Sequence, residues 1–226
     1  MPESNSFAAL LLPRIIAQWP MKLAMSLVMP AIFLPIYFTL QRIEVFPART
    51  LPLTFIDEWA GFDPAWIWCY ISQYVIIPVP PLLAYQRDHL RRLIVGIAVT
   101  SALAFATFFF LPVHCPRPSA AEIAAANTNF AYDWILSVDT MGNAFPSLHV
   151  GLSAFVAMYA HHVIDADFGR RLRIGFLALL WVWTMAIAWS TMATKQHYFW
   201  DVLGGFAIAY VGYRVAFAGL AEQVRD

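Results

Sequence analysis

The chain has 226 residues, of which 61% are hydrophobic and only 12% charged, a balance outside the range of soluble domains. Its basic and acidic residues cancel to a formal net charge of zero, and it has neither the basic patches nor the interleaved aromatics of nucleic-acid binders. A soluble enzyme and a nucleic-acid partner are both excluded, and a membrane-embedded chain is left.

In chain order, Phe7 to Trp19 mixes Leu, Ile and Trp with Arg14 and is too short to cross a bilayer, so residues 1–22 read as an interfacial amphipathic segment. The order of a signal peptide is missing, because Arg14 and Lys22 precede the first apolar run, and this run is expected to be retained. A crossing helix needs about 20 mostly apolar residues. Runs of that kind predict six spans, near Leu23–Leu40, Trp66–Tyr85, Leu93–Val113, Leu148–Val163, Leu172–Trp189 and Trp200–Phe217. The predicted fold is therefore all-α, a polytopic bundle of six transmembrane helices forming a single domain over residues 1–226.

Pro30 and Pro35 fall inside the first span, and Pro78, Pro80 and Pro81 near the end of the second, so both helices should kink or become irregular. Asp63-Pro64 offers an N-cap followed by proline at the first helical position, which should start the second span. The longest connection, residues 111–146, is not plain linker. Ser119-Ala-Ala-Glu122 reads as a capping box opening a short helix, and Phe130 to Leu136 as a second short helix. Cys69 and Cys115 form no metal or redox motif.

The basic residues divide by loop. Arg14, Lys22, Arg87, Arg91, Arg92, Arg170, Arg171, Arg173 and Arg225 lie on one side, and Arg42, Arg49, Arg117 and Lys195 on the other; Arg214 can snorkel to the first side. The positive-inside rule then puts both termini in the cytoplasm, with a bacterial inner membrane as the expected setting. His161, His162 and His89 fall at the cytoplasmic side and read as interfacial residues.

The remaining polar residues gather on the outer face: Arg117 after the third span, Ser147 and His149 opening the fourth, and Ser190, Lys195, His197 and Asp201 around the turn into the sixth. His197 and Asp201 are four apart, a spacing that shares a helix face, so the carboxylate can accept a hydrogen bond from the imidazole and fix its tautomer. An imidazole so held suits a nucleophile or general base. Pro146-Ser147-Leu148-His149 marks a helix start, whose free N–H groups favour an anion; Ser147 can donate to it, and His149 can protonate a departing alkoxide. Arg117, between two prolines, offers a fork of donors for phosphate. A metal site on His149, His197 and Asp201 is an alternative, as is a non-catalytic lipid-binding protein that uses the cluster for headgroups.

In order and spacing these residues resemble the type 2 phosphatidic acid phosphatase superfamily, whose motifs are Lys-x6-Arg-Pro, Pro-Ser-Gly-His and Ser-Arg-x5-His-x3-Asp. Here they stand as Arg117-Pro118, Pro146-Ser147-Leu148-His149 and Ser190-Thr191-x5-His197-x3-Asp201. The resemblance implies a metal- and cofactor-independent membrane enzyme with His197 as nucleophile, Asp201 as its orienter and His149 as acid. It also implies phosphate-holding roles for Arg117, Ser147 and Ser190. Phe110, Leu148 and Thr191 depart from the motifs, so two expected cations are missing; Lys195 is the nearest substitute and His114 a weaker one. Asn143-Ala-Phe-Pro-Ser-Leu-His-Val and Gln196-His-Tyr-x-x-Asp-Val202 look most similar to the branch with the inositol phosphorylceramide synthases. The substrate this implies is a lipid-linked phosphate, with water or a lipid alcohol as acceptor.

Overall fold

The computed structural model describes residues 7–218; Arg225 of the charge assignment lies outside them. Among the described residues every regular element is helical, and the β-type pairing is a single isolated bridge between Arg49 and Val113. Helix α1 (Phe7–Ile16) is followed by Gln18 at φ 57°, which turns the chain into α2 (Trp19–Leu40). Leu10 and Leu11 of α1 pack on the main core while Leu12, Ile15 and Ile16 stay exposed. Arg14 is buried and fixes this helix, donating to Asp165 at 2.8 and 3.0 Å, to Asp167 at 2.8 Å and to the Val163 carbonyl at 3.2 Å.

The prolines act differently in the two places where irregularity is expected. Pro30 and Pro35 remain inside one continuous α2, whereas the second apolar run is broken. After α3 (Phe55–Ala60) it proceeds as a 3-10 turn (Pro64–Trp66), α4 (Ile67–Ile71), α5 (Gln73–Ile76) and α6 (Val79–Leu83). Three prolines within four residues remove three donors from consecutive turns. Ser72 adds a second break, accepting from Trp183 Nε1 at 2.7 Å. The 3-10 turn starts where expected, with Asp63 accepting from the Ala65 amide at 2.9 Å.

The remaining helices are α7 (Arg87–Phe110), α8 (Ala120–Ala125), α9 (Phe130–Val138), α10 (Leu148–Val163), α11 (Arg170–Ala193) and α12 (Phe199–Ala216). The Ser119–Glu122 capping box of α8 is present in both directions. Among the described residues four segments are long and apolar enough to cross a membrane: Trp19–Leu40, Pro64–Leu83, Arg87–Phe110 and Arg170–Ala193. The expected count of six is not reached on this measure. At about 1.5 Å per residue, the 16-residue α10 rises only about 24 Å, and α12 has 18 residues that include Asp201 and Arg214.

Those two shorter helices form the centre. Helix α10 packs on α12, α11, α7 and α6, and most of its residues are buried, whereas α2 buries none and lies against α7. Apolar tails give no hydrophobic drive to helix association, so contact depends on close packing of small residues. Gly205 of α12 lies against the start of α10, where an added Cβ would come within 2.6 Å of the Ser147 carbonyl. At the other end of α10, His162 bonds the Tyr213 hydroxyl at 2.9 Å and stacks on Phe217, and His161 accepts from Trp181. These histidines are tied to aromatic partners far from His149.

Candidate active site

The site forms where the starts of α10 and α12 meet the turn that leaves α11. Ser147 caps α10, its hydroxyl accepting from the Val150 amide at 3.4 Å, and its own amide donates to the Asp201 carbonyl at 2.9 Å. This bond locks the two helix starts together. In the α11–α12 turn Lys195 adopts φ 54°, and the amides of Gln196 and His197 both donate to the Thr191 carbonyl at 3.0 Å. The result is that His197 is carried back over the start of α10, where it is 5% exposed.

His197 Nδ1 lies 2.9 Å from the Ala144 carbonyl. A carbonyl only accepts, so Nδ1 carries the proton and Nε2 is left with its lone pair. That nitrogen faces His149 Nδ1 at 3.3 Å, and Nδ1–H of His149 is the donor between them. The ring of His149 rests on Tyr70, with centroids 4.3 Å apart. Helix α10 adds the first-turn amides of Leu148 and His149, which have no carbonyl partner within their own helix.

Asp201 is brought to this pair, but not as the spacing suggests. His197 precedes α12 rather than lying in it, so the two residues do not share a helix face. Asp201 Oδ2 accepts from the Tyr198 amide at 2.8 Å and lies 3.8 Å from His197 Nδ1, beyond hydrogen-bond length. The tautomer is set by a backbone carbonyl, and the carboxylate lies close to the ring without bonding it. Asp201 Oδ1 is buried without a hydrogen-bond partner among the described residues.

The expected phosphate-holding residues are less uniform. Arg117 reaches the site but is engaged there, donating to the Thr140 carbonyl at 2.7 Å and the Lys195 carbonyl at 3.3 Å. The Lys195 ammonium turns away to the Asp57 carbonyl at 3.0 Å and over the Tyr198 ring, and burial lowers its pKa. Ser190 donates to Ile187 within its own helix at 2.7 Å and makes no bond to either histidine. His114 enters through its backbone, donating to the Arg49 carbonyl at 2.9 Å. No three His, Cys, Asp or Glu side chains among the described residues converge as a metal site, and the Ala144 carbonyl occupies one face of His197.

Three parts of the site carry no motif. Ala144 contributes a main-chain atom, Tyr70 a ring that any core aromatic could supply, and Asp139 a loop carboxylate. Asp139 follows α9, accepts from Tyr37 at 3.2 Å and from Gln41 through Oδ1, and sits with Oδ2 4.0 Å from Arg117. The nearest sequence signal is that Asp139 is the one acidic residue between α9 and the Pro-Ser-Leu-His segment.

The apolar helices among the described residues mark the chain as a helical membrane protein, with paired histidines at a helix start. The PAP2 superfamily profile matches residues 48–215, most of the chain and all of this site, and the chain belongs to that superfamily. It is also similar to the inositol phosphorylceramide synthase catalytic subunit aur1 of Schizosaccharomyces pombe, with 32% identity over 89 residues. That alignment spans 39% of this chain and 19% of the yeast protein. No solved structure matches the chain.

Proposed function

We propose that this chain is a metal-independent lipid phosphate phosphatase that works through a phosphohistidine on His197. The observation that carries this reading is the state of that ring, with its Nδ1–H donating to the Ala144 carbonyl and its bare Nε2 facing His149 at 3.3 Å. In the first step His149 carries a second proton as an imidazolium, Nε2 of His197 attacks phosphorus, the bond from phosphorus to the lipid oxygen breaks, and His149 gives that proton to the oxygen. Asp201, 3.8 Å away, stabilises the positive charge on the phosphorylated ring. In the second step water attacks phosphorus, the P–N bond breaks and His149 takes the water's proton. A separation of 3.3 Å leaves no room for phosphorus and a leaving oxygen in line, so substrate must part the two rings.

Transfer to a lipid alcohol in place of water is the second reading, favoured by the similarity to the yeast synthase subunit. For the membrane setting we propose six crossings, counting α10 and α12, because a helix enclosed by neighbours need not match the full lipid thickness. The basic loops support cytoplasmic termini and a site facing the periplasm.

The test is purified protein in nanodiscs containing phosphatidic acid, with phosphate release followed in excess chelator. Release is expected without any alcohol acceptor, vanadate should inhibit it, and His197→Gln should abolish it. Unchanged turnover in His197→Gln would overturn the reading, and turnover only with an added lipid alcohol would select transfer.

A further inference from the structure

We propose that Asp139 is a specificity-determining residue of this site, holding its charge low enough that a singly charged phosphate is preferred over a doubly charged one. The inference rests on the phosphohistidine step proposed above, leaves open which ester is the substrate, and adds a residue that no motif identifies. Its basis is the charge inventory around the histidine pair. Among the described residues the cations here are Arg117 and Lys195, and both are engaged by carbonyls: Arg117 by those of Thr140 and Lys195, and Lys195 by that of Asp57. Against them stand three carboxylates, Asp57, Asp139 and Asp201, of which Asp57 and Asp201 are each 1% exposed.

Asp139 is the carboxylate placed to matter to a ligand. Asp57 is consumed in structure, accepting from Thr54 and from the Phe199 amide, and Asp201 faces the back of His197. Asp139 is held on one oxygen by Tyr37 and Gln41 of the α2 end. Its other oxygen lies 4.0 Å from the Arg117 guanidinium and makes no hydrogen bond among the described residues. Burial pushes the Asp139 carboxyl up, and Arg117 and His197 oppose that shift, so it lies in the field of the same two groups a phosphate would use. A phosphate drawn to Arg117 meets this carboxylate too, and each added negative charge on the ligand increases the repulsion. A phosphodiester carries one charge, and a monoester at neutral pH up to two.

The comparison uses phosphatidic acid as monoester and phosphatidylglycerol as diester in the same nanodiscs, with diacylglycerol release as the common readout. In both, the N–P bond to His197 forms, the bond from phosphorus to the diacylglycerol oxygen breaks, and that oxygen takes the His149 proton. The leaving group is identical, so the ratio of kcat/KM values isolates the phosphate. Asp139→Asn should lower the diester-to-monoester ratio by roughly tenfold or more, and Asp139→Glu should keep the wild-type ratio. Asp139→Ser, which also removes the charge, should repeat the Asn result if the Asn protein folds poorly. An unchanged ratio in Asn and Ser variants of wild-type Tm would overturn the proposal and leave the phosphohistidine reading standing. Release from neither lipid by the wild type, or equal release by His197→Gln, would overturn both.

Discussion

At the scale of single residues, the histidine is oriented by two groups with separable contributions. The Ala144 carbonyl accepts from Nδ1–H at 2.9 Å, and Asp201 lies 3.8 Å from the same nitrogen. Replacing Asp201 by Asn keeps an oxygen that can accept from the Tyr198 amide and leaves the Ala144 bond in place, so the tautomer survives and only the charge is lost. A unit charge at about 4 Å in a partly dry site is worth up to about 4 kcal/mol. We therefore expect Asp201→Asn to lower kcat by about 10²–10³-fold with little change in Tm. A kcat near wild type would remove the carboxylate from the mechanism. The spacing of His197 and Asp201 is legible in the sequence because it is a pattern of side chains. Ala144 is not, because it acts through a main-chain atom that every residue has, and the helical reading of the pair fails because α12 starts only at Phe199.

At the scale of elements, the site exists because α10 and α12 start side by side. Their contact has no room at Gly205, where a Cβ would lie 2.6 Å from the Ser147 carbonyl and 3.2 Å from the Gly151 amide. A backbone atom cannot swing aside as a side chain can, so Gly205→Ala must push the helix starts apart. We expect it to cost about 1–3 kcal/mol of stability and to reduce turnover further by separating His149 of α10 from His197 at the α12 start. Gly175 in α11 is the control, since a Cβ there meets nothing within 4 Å and alanine should be neutral or raise stability by about 0.5–1 kcal/mol. Thermal unfolding of both variants in the same detergent checks the contrast; equal Tm values would mean that the α10–α12 contact is not tight. Most helices could be read from apolar runs and caps, because these depend on local chemistry. The break of the second run at Ser72 could not, since it depends on Trp183, more than a hundred residues away, reaching that hydroxyl.

At the scale of the whole molecule, the ends of the bundle have different chemistry. One end gathers Arg14 with Asp165 and Asp167 beside the basic start of α11, and the other holds the histidines, Arg117 and the short helices α8 and α9. Only α10 can carry the chain across the bilayer between α9 and α11, and it is shorter than a lipid-exposed span needs to be. Crossing at this length requires its neighbours rather than lipid to cover its ends, which its burial among α6, α7, α11 and α12 provides. Ala121 in α8 and Arg171 in α11 are both exposed and flank α10, so single cysteines there, with Cys69 and Cys115 replaced by alanine, test the point directly. An impermeant maleimide should label Ala121→Cys on intact cells and Arg171→Cys only after permeabilisation. Labelling of both from one side would mean that α10 does not cross, and the reverse pattern would turn the histidine site to the cytoplasm. The expected pattern would put the proposed phosphohistidine chemistry on the outer leaflet, where a lipid phosphate can approach without its charge crossing the bilayer core.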